Sequence, residues 1–222
     1  MNVRLVLDFL SLLQQHNSKA WMDEHREEYL LAKAHFVEMV AYLIEALQQT
    51  DASLLGVTPQ ECLFRINKND FSRKGEAPYK GYLGAGISAG GRHSPFANYV
   101  FALEPGGMSR IGGGIRKPGT KRLELIREEI DYNPGQLQQV LDEPLFKATF
   151  GTFRGERTRQ GPRGYDKLHP ELELLRSKGF QVMHYFSDEE VCAPGFIDRL
   201  VPMLRQVKPL HDFLNNAITE PI

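Results

Sequence analysis

The chain has little of what usually announces a function. Two cysteines, Cys62 and Cys192, in 222 residues are too few for a disulfide framework and read as ordinary reduced thiols. No apolar run reaches the ~18 residues that a membrane span needs. Met1-Asn2-Val3-Arg4 leads into an amphipathic pattern rather than a signal peptide, so the cytoplasm is the expected location and no membrane partner is expected. A formal net charge of −1 excludes the strongly basic balance of a dedicated DNA-binding domain. There is no internal repeat and no low-complexity tract. The seven histidines include no His-x-His or His-x-x-x-His step, which leaves His169 with Glu171 or Glu173 as the one ligand-like cluster, and no metal site is expected. Neither a Gly-x-Gly-x-x-Gly in a βαβ setting nor a Gly-Lys-Ser/Thr occurs. Ser72 and Ser177 lack a nucleophile elbow, and neither cysteine sits in a motif that activates its thiolate. No cofactor is implied, and whether the chain is an enzyme stays open.

What is present begins with enough apolar residues, 41%, for a real core. The small net charge hides an asymmetry: 4 basic against 9 acidic residues over 1–61, 18 against 11 over 62–168, and 5 against 8 over 169–222. Either the basic middle offers a cationic face to an anionic partner, or the acidic helices pack on it and cancel its field. The richest stretch is 63–80. Arg65, Lys68, Arg73, Lys74 and Lys80 share it with Phe64, Phe71 and Tyr79 and end in Pro78-Tyr79-Lys80. Such a loop costs ordering entropy and buries little, which suits a recognition surface.

Hydrophobic periodicity places the elements. Residues 3–15 form an amphipathic helix, and Ser18 caps a second, long helix over 19–48, continuous or kinked, with Trp21, His25, Tyr29, Ala32, Phe36, Met39, Leu43 and Leu47 on one face. A loop follows over 50–61. Strands are predicted at 63–67, 82–88 (thinned by glycine, hence close backbone approach or strong twist), 98–104 and 108–115, the last two a hairpin about Pro105-Gly106-Gly107. Helices are predicted from Pro118 to Tyr132 and over 136–141, then a short strand at 149–153, a loop over 155–168, a helix at 170–177, a strand at 179–187, and helices over 194–206 and 209–218. The expected architecture is a single α+β domain over 1–222. A helical part (1–50), a sheet-rich basic middle (62–116) and a mixed part (118–222) give a central antiparallel sheet braced by N- and C-terminal helices.

Several constellations can carry chemistry. Arg65, Lys68, Arg73, Lys80, Arg116 and Arg163, with Lys74 and Lys117, suit phosphate or carboxylate, Arg by a bidentate grip and Lys as a point charge. If strand 63–67 lies beside 112–114, Arg65 and Arg116 point into one hollow. The bland alternative is pairing with Asp70, Glu76, Glu104 and Asp166, the rest solvated. Gly112-Gly113-Gly114 before a helix either cradles phosphate or marks tight packing under a bulky side chain. Asp166 and His169 either form an acid–base pair, the weak catalytic candidates, or cap the helix after Pro170. Tyr79, Tyr82 and Phe71 either stack on bases or anchor the loop. Trp21 and Tyr29 read as core.

Ordered blocks also resemble a known family. Phe9-Leu10-x-x-Leu13-x-x-x-Asn17-x-x-x-Trp21-Met22-x-x-x-Arg26-x-x-Tyr29 is similar to its opening signature, and Phe64-Arg65-Ile66 with Pro78-Tyr79-Lys80 to its central block. Gly112-Gly113-Gly114-Ile115-x-x-Pro118 and Leu125-Ile126-Arg127 follow. Pro162-Arg163-Gly164-Tyr165-Asp166-x-x-His169-Pro170-x-x-Glu173-Leu174-Leu175-x-x-Lys178 resembles its most distinctive later block, and Pro209-Leu210-x-Asp212-Phe213-Leu214-Asn215 its tail. The family is the bacterial and fungal group catalogued as domain of unknown function 2461, whose reaction is not established. The resemblance covers nearly the whole chain and implies one domain. Where the family reads Arg-Asp-x-Arg-Phe-Ser-x-Asp-Lys before Pro-Tyr-Lys, this chain has Lys68-Asn69-Asp70-Phe71-Ser72-Arg73-Lys74-Gly75-Glu76. Tyr79 and Lys178, from the central and later blocks, complete the candidate ligand-binding set. The functional expectation is a basic cleft for an anionic small molecule or nucleic acid. The alternative is a non-catalytic protein–protein interaction module, which would show an exposed apolar patch beside the long helix.

Overall fold

The structure, a computed structural model, describes residues 1–68 and 75–219. It is an α+β domain with one four-stranded antiparallel sheet in the order β1-β2-β3-β4, made of Leu83–Ile87, Asn98–Leu103, Ser109–Ile115 and Phe180–Phe186. Within the domain the chain gathers into two units, Met1–His93 with Val100–Ile111 and Tyr185–Pro202, and Ser94–Tyr99 with Gly112–His184 and Met203–Ile222.

In the first unit, α1 (Val3–Gln15) starts at Asn2, whose side-chain oxygen accepts the Leu5 N–H at 3.1 Å. Ser18 caps α2 (Lys19–Glu24) by accepting the Trp21 N–H at 3.2 Å. The expected long helix is broken at His25, and α3 spans Arg26–Gln48. The break has a local cause. The Trp21 carbonyl accepts both the His25 backbone N–H (3.0 Å) and His25 Nδ1 (2.9 Å), and the imidazole stacks on the indole at 4.2 Å. Holding both bonds takes His25 to ψ 33, outside helical values. Beyond it Phe36, Met39, Leu43 and Leu47 bury fully, and Phe36 stacks on Phe101 of β2 at 5.2 Å.

The loop expected over 50–61 contains a short helix, α4 (Pro59–Cys62), started by Pro59 and by a capping box between Thr58 and Glu61. Residues 63–67 pair only at isolated bridges, Leu63 with Ala85 and Asn67 with Tyr79. The β2–β3 hairpin turns at Gly106 and Gly107, both at positive φ, and their N–H groups donate to the Asp188 carboxylate at 2.8 and 3.0 Å. Ser187 and Glu190 form a capping box that starts α9 (Asp188–Cys192), which precedes α10 (Phe196–Arg205).

In the second unit the helices are α5 (Thr120–Tyr132), α6 (Gln136–Asp142), α7 (Pro144–Phe150), α8 (Leu172–Leu175) and α11 (Lys208–Ile218). Helix α7 covers the start of the strand expected at 149–153, of which Arg154 bridging Gln181 is the nearest pairing. Phe146, Phe150, Phe153, Phe180, Ile126 and Ile130 are all buried, Phe146 lies 5.4 Å from Phe150, and Phe153 meets Phe180 edge-on at 5.4 Å. Gly112, Gly113 and Gly114 are buried in β3. A Cβ on Gly112 or Gly114 would overlap the carbonyl oxygens of Val182 or Phe180 in β4. One on Gly113 would stand 2.5 Å from His211 Nε2. Close packing, not a phosphate cradle, is therefore what the three glycines serve. His211 is buried, stacks edge-on with Tyr99 at 4.3 Å and accepts the Gly114 N–H on Nε2 at 3.0 Å.

Candidate functional site

A concavity lined by several of the sequence candidates lies in the first unit. Helix α3 presents Tyr29, Lys33 and Val37 at four-residue spacing, hence on one side. Facing them, Phe64, Arg65 and Asn67 from the segment after α4 complete a hollow of about 390 Å³, with Gln60 of α4 at its edge.

The segment 63–68 is positioned by antiparallel bonding to 78–84: Phe64 N–H to Gly84 O (2.8 Å), Lys80 N–H to Ile66 O (2.8 Å) and Lys68 N–H to Pro78 O (2.9 Å). Gly84 leaves room for the Phe64 ring, since a Cβ there would lie 2.9 Å from Phe64 Cδ2. Ile66 is buried on the inner side. The 78–81 strip is held in turn by the end of α1. Asn17 Nδ2 donates to the Tyr79 carbonyl and Asn17 Oδ1 accepts the Tyr79 N–H, both at 3.0 Å, while Gln14 Nε2 donates to Gly81 O at 3.0 Å. Asn17 of the opening signature thus grips the Pro-Tyr-Lys block.

The described lining carries charge of one sign. The charged lining residues, Lys33 and Arg65, are both cationic, and among the described residues no carboxylate lines the hollow. Neither has an ion-pair partner among the described residues. Burial pushes the Tyr29 phenol above its ordinary value, with Tyr79 adding and Arg26 opposing, so the hydroxyl stays a donor at neutral pH. Lys80 donates from Nζ to the Arg65 carbonyl at 2.7 Å and lies 5.8 Å from the Tyr82 ring centre. Burial holds its ammonium below the ordinary value, and Arg92 adds to this. Lys80 therefore acts on Arg65 through its backbone.

The sequence candidates separate as follows. Arg65, Lys68, Tyr79 and Lys80 gather around segment 63–68; Lys68 lies 3.9 Å from Glu76, and Tyr79 is buried as the anchor of its loop. Arg73, with Asp70, Phe71 and Lys74, lies outside the described residues. Segment 63–68 pairs with 78–85, ending at Ala85 of β1, so the pairing with 112–114 expected to bring Arg65 beside Arg116 does not form. Arg116, Arg163 and Lys178 belong to the second unit; the first two are exposed and Lys178 donates to Glu156 at 3.0 Å.

His169 and Asp166 also differ from the pairing considered above. Glu171 N–H donates to His169 Nδ1 at 3.0 Å, which places the ring proton on Nε2, 3.0 Å from Asp131 Oδ1. Asp166 instead accepts the Leu168 N–H at 2.8 Å. With both ring nitrogens engaged, His169 fastens the turn before α8 to α5. Sequence reasoning passed over Lys33, Gln60 and Asn17 and read Tyr29 as core, whereas Tyr29 is half-buried and lines the hollow. Asn17 and Tyr29 carried a signal, their place in the opening signature. Lys33, a single lysine on an acidic helix, carried none.

Among the described residues no group of three or more His, Cys, Asp or Glu side chains is arranged to hold a metal ion, and no helix is long and apolar enough to cross a membrane. Fold and hollow define an α+β protein with a small cation-lined concavity. The profile of the conserved hypothetical protein family DUF2461 matches residues 5–213, and the chain belongs to that family. No curated protein and no solved structure matches it.

Proposed function

We propose that the hollow between α3 and segment 63–67 binds a small anion, a carboxylate or phosphate carried on a partly apolar body. Arg65 and Lys33 supply the counter-charges, Tyr29 and Asn67 the neutral donors, and Val37 and Phe64 the apolar wall. One observation carries this reading: the cavity's two charged residues are both cationic and unpaired among the described residues. Two cations lining one concavity give it a positive charge complementary to an anionic ligand. Lys80 keeps its place as a positioning residue that holds the Arg65 backbone. Arg116, Arg163 and Lys178 are not needed. A cytoplasmic setting, where thiols stay reduced, is part of the proposal and is supported by two free cysteines.

The test is a thermal-shift and calorimetric screen with inorganic phosphate, nucleoside monophosphates, and aliphatic and aromatic carboxylates. Binding should weaken with salt. Arg65→Gln and Lys33→Gln should each lower affinity by about 10-fold or more, the effect of losing a hydrogen bond to a charged group. Stabilisation by no anion in the screen, or binding that both variants leave unchanged, defeats the proposal.

A further inference from the structure

We propose that a second concavity, between α1, α2 and α3, binds a small amphiphilic cation: an ammonium group carried on an aromatic or branched apolar body. It shares no lining residue with the anion hollow and does not depend on it. The cavity measures about 400 Å³, within the ~300–1,000 Å³ of small-ligand pockets. Leu5, Phe9 and Leu12 line it from α1, Trp21 from α2 and Leu31 from α3. Leu12 and Leu31 remain 47% and 50% exposed. Apolar side chains left this wet around a concave site gain by being covered.

The floor is ordered before any ligand arrives. His25 stacks on the Trp21 indole at 4.2 Å and 15°, and Phe9 lies 5.9 Å from it. His16 stacks with the same indole at 5.9 Å and 20°. The ordered ring costs little side-chain entropy on binding and offers apolar surface, while the choice of a cation rests on the carboxylates of the lining.

Charge at the mouth selects the sign of the ligand. Asp8 and Glu28 bring two carboxylates against the single guanidinium of Arg4, and none of the three has an ion pair among the described residues. His25, the remaining titratable residue of the lining, uses Nδ1 on the Trp21 carbonyl. The surrounding chain reinforces the field, with 9 acidic residues against 4 basic over 1–61. Because side chains of three helices converge on one hollow of about 400 Å³, a compact ligand fits it better than a long partner helix does.

Trp21 is the only tryptophan in the chain, so its emission reports this site directly. Three probes share one apolar body and differ in charge: 2-phenylethylammonium, 2-phenylethanol and 3-phenylpropionate. Titrated against the full chain, the ammonium should bind about 3- to 10-fold more tightly than the alcohol, as two partly exposed ion-pair contacts allow, and the carboxylate most weakly. The double variant Asp8→Asn, Glu28→Gln should bring the ammonium down to the alcohol's affinity and leave the alcohol unchanged. Leu31→Ser should weaken the ammonium and the alcohol together. Circular dichroism of each variant separates these effects from misfolding. The proposal is overturned if the carboxylate binds as tightly as the ammonium, if the double variant keeps the charge preference, or if none of the probes moves Trp21 emission. It also fails if a basic amphipathic peptide saturates the site while the small ammonium does not, since the surface is then a docking groove for protein.

Discussion

The Asn17 side chain substitutes for a strand edge. Its amide meets the Tyr79 backbone through two hydrogen bonds of 3.0 Å, as a neighbouring strand does. Asn17→Ala leaves both Tyr79 groups without this partner, a loss of about 1–3 kcal/mol in urea denaturation. Asn17→Asp keeps an acceptor for the N–H but sets a carboxylate against the carbonyl oxygen, so it destabilises as well. Because the gripped strip carries Lys80, which holds Arg65, either variant should also weaken anion binding although Asn17 is not a lining residue. Gly113 offers a second test at this scale. An added methyl would stand 2.5 Å from both His211 Nε2 and Val207 Cγ1. Gly113→Ala should cost about 1–3 kcal/mol by overpacking. Gly119→Ala, in open space but at φ 75 and ψ 165, where glycine alone is comfortable, should cost a comparable ~1–3 kcal/mol through backbone strain and not through packing.

At the scale of elements, local signals were legible and distant pairings were not. The limits of α1, the Ser18 cap, the β2–β3 hairpin and β4 follow from period and turn chemistry read in one window. The break at His25 does not, since a stacked imidazole sharing its neighbour's carbonyl leaves no mark on periodicity. Helix α7 has a start signal, Glu143 accepting the Phe146 N–H at 2.7 Å with Pro144 in the first turn, but the β-favouring run Thr149-Phe150-Gly151-Thr152-Phe153 outweighs it in a propensity reading. The anion hollow was half legible. Arg65 stood out by composition. Lys33 joins it only because 63–68 folds against 78–85, which brings the segment over one side of α3. Helix α9 rests on its capping box, with Ser187 Oγ accepting the Glu190 N–H and Glu190 accepting the Ser187 N–H. Asp188, its first residue, holds the Gly106–Gly107 turn. Ser187→Ala should therefore cost about 1 kcal/mol and raise hydrogen exchange at Gly106 and Gly107, whose N–H groups donate to Asp188 from 82 and 81 positions away in sequence.

For the whole molecule, acid sensitivity divides into two physical kinds. Hydrogen bonds from Thr58 hold the Glu61 carboxyl below its ordinary value. The Lys178 ammonium does the same for Glu156, first by its hydrogen bond and then by its charge. A carboxyl lowered in the folded state adds stability that is fully present above its unfolded value, near ~4.3 for Glu. That stability is lost as pH falls through the folded value. Stability should thus be level between neutral pH and about pH 5 as far as these groups are concerned, and fall below that. Glu61→Gln and Glu156→Gln should each destabilise at pH 7 and converge on the parent as pH falls through the lowered folded-state value of each carboxyl. Salt separates the two. At 1 M the screening length is ~3 Å, which weakens an exposed ion pair but not a bond from a neutral hydroxyl and amide. High salt should therefore shrink the Glu156→Gln difference at pH 7 and leave most of the Glu61→Gln difference in place, both read from urea midpoints. Equal loss of the two differences in salt would show that the Thr58–Glu61 box acts through long-range charge rather than through its local bonds.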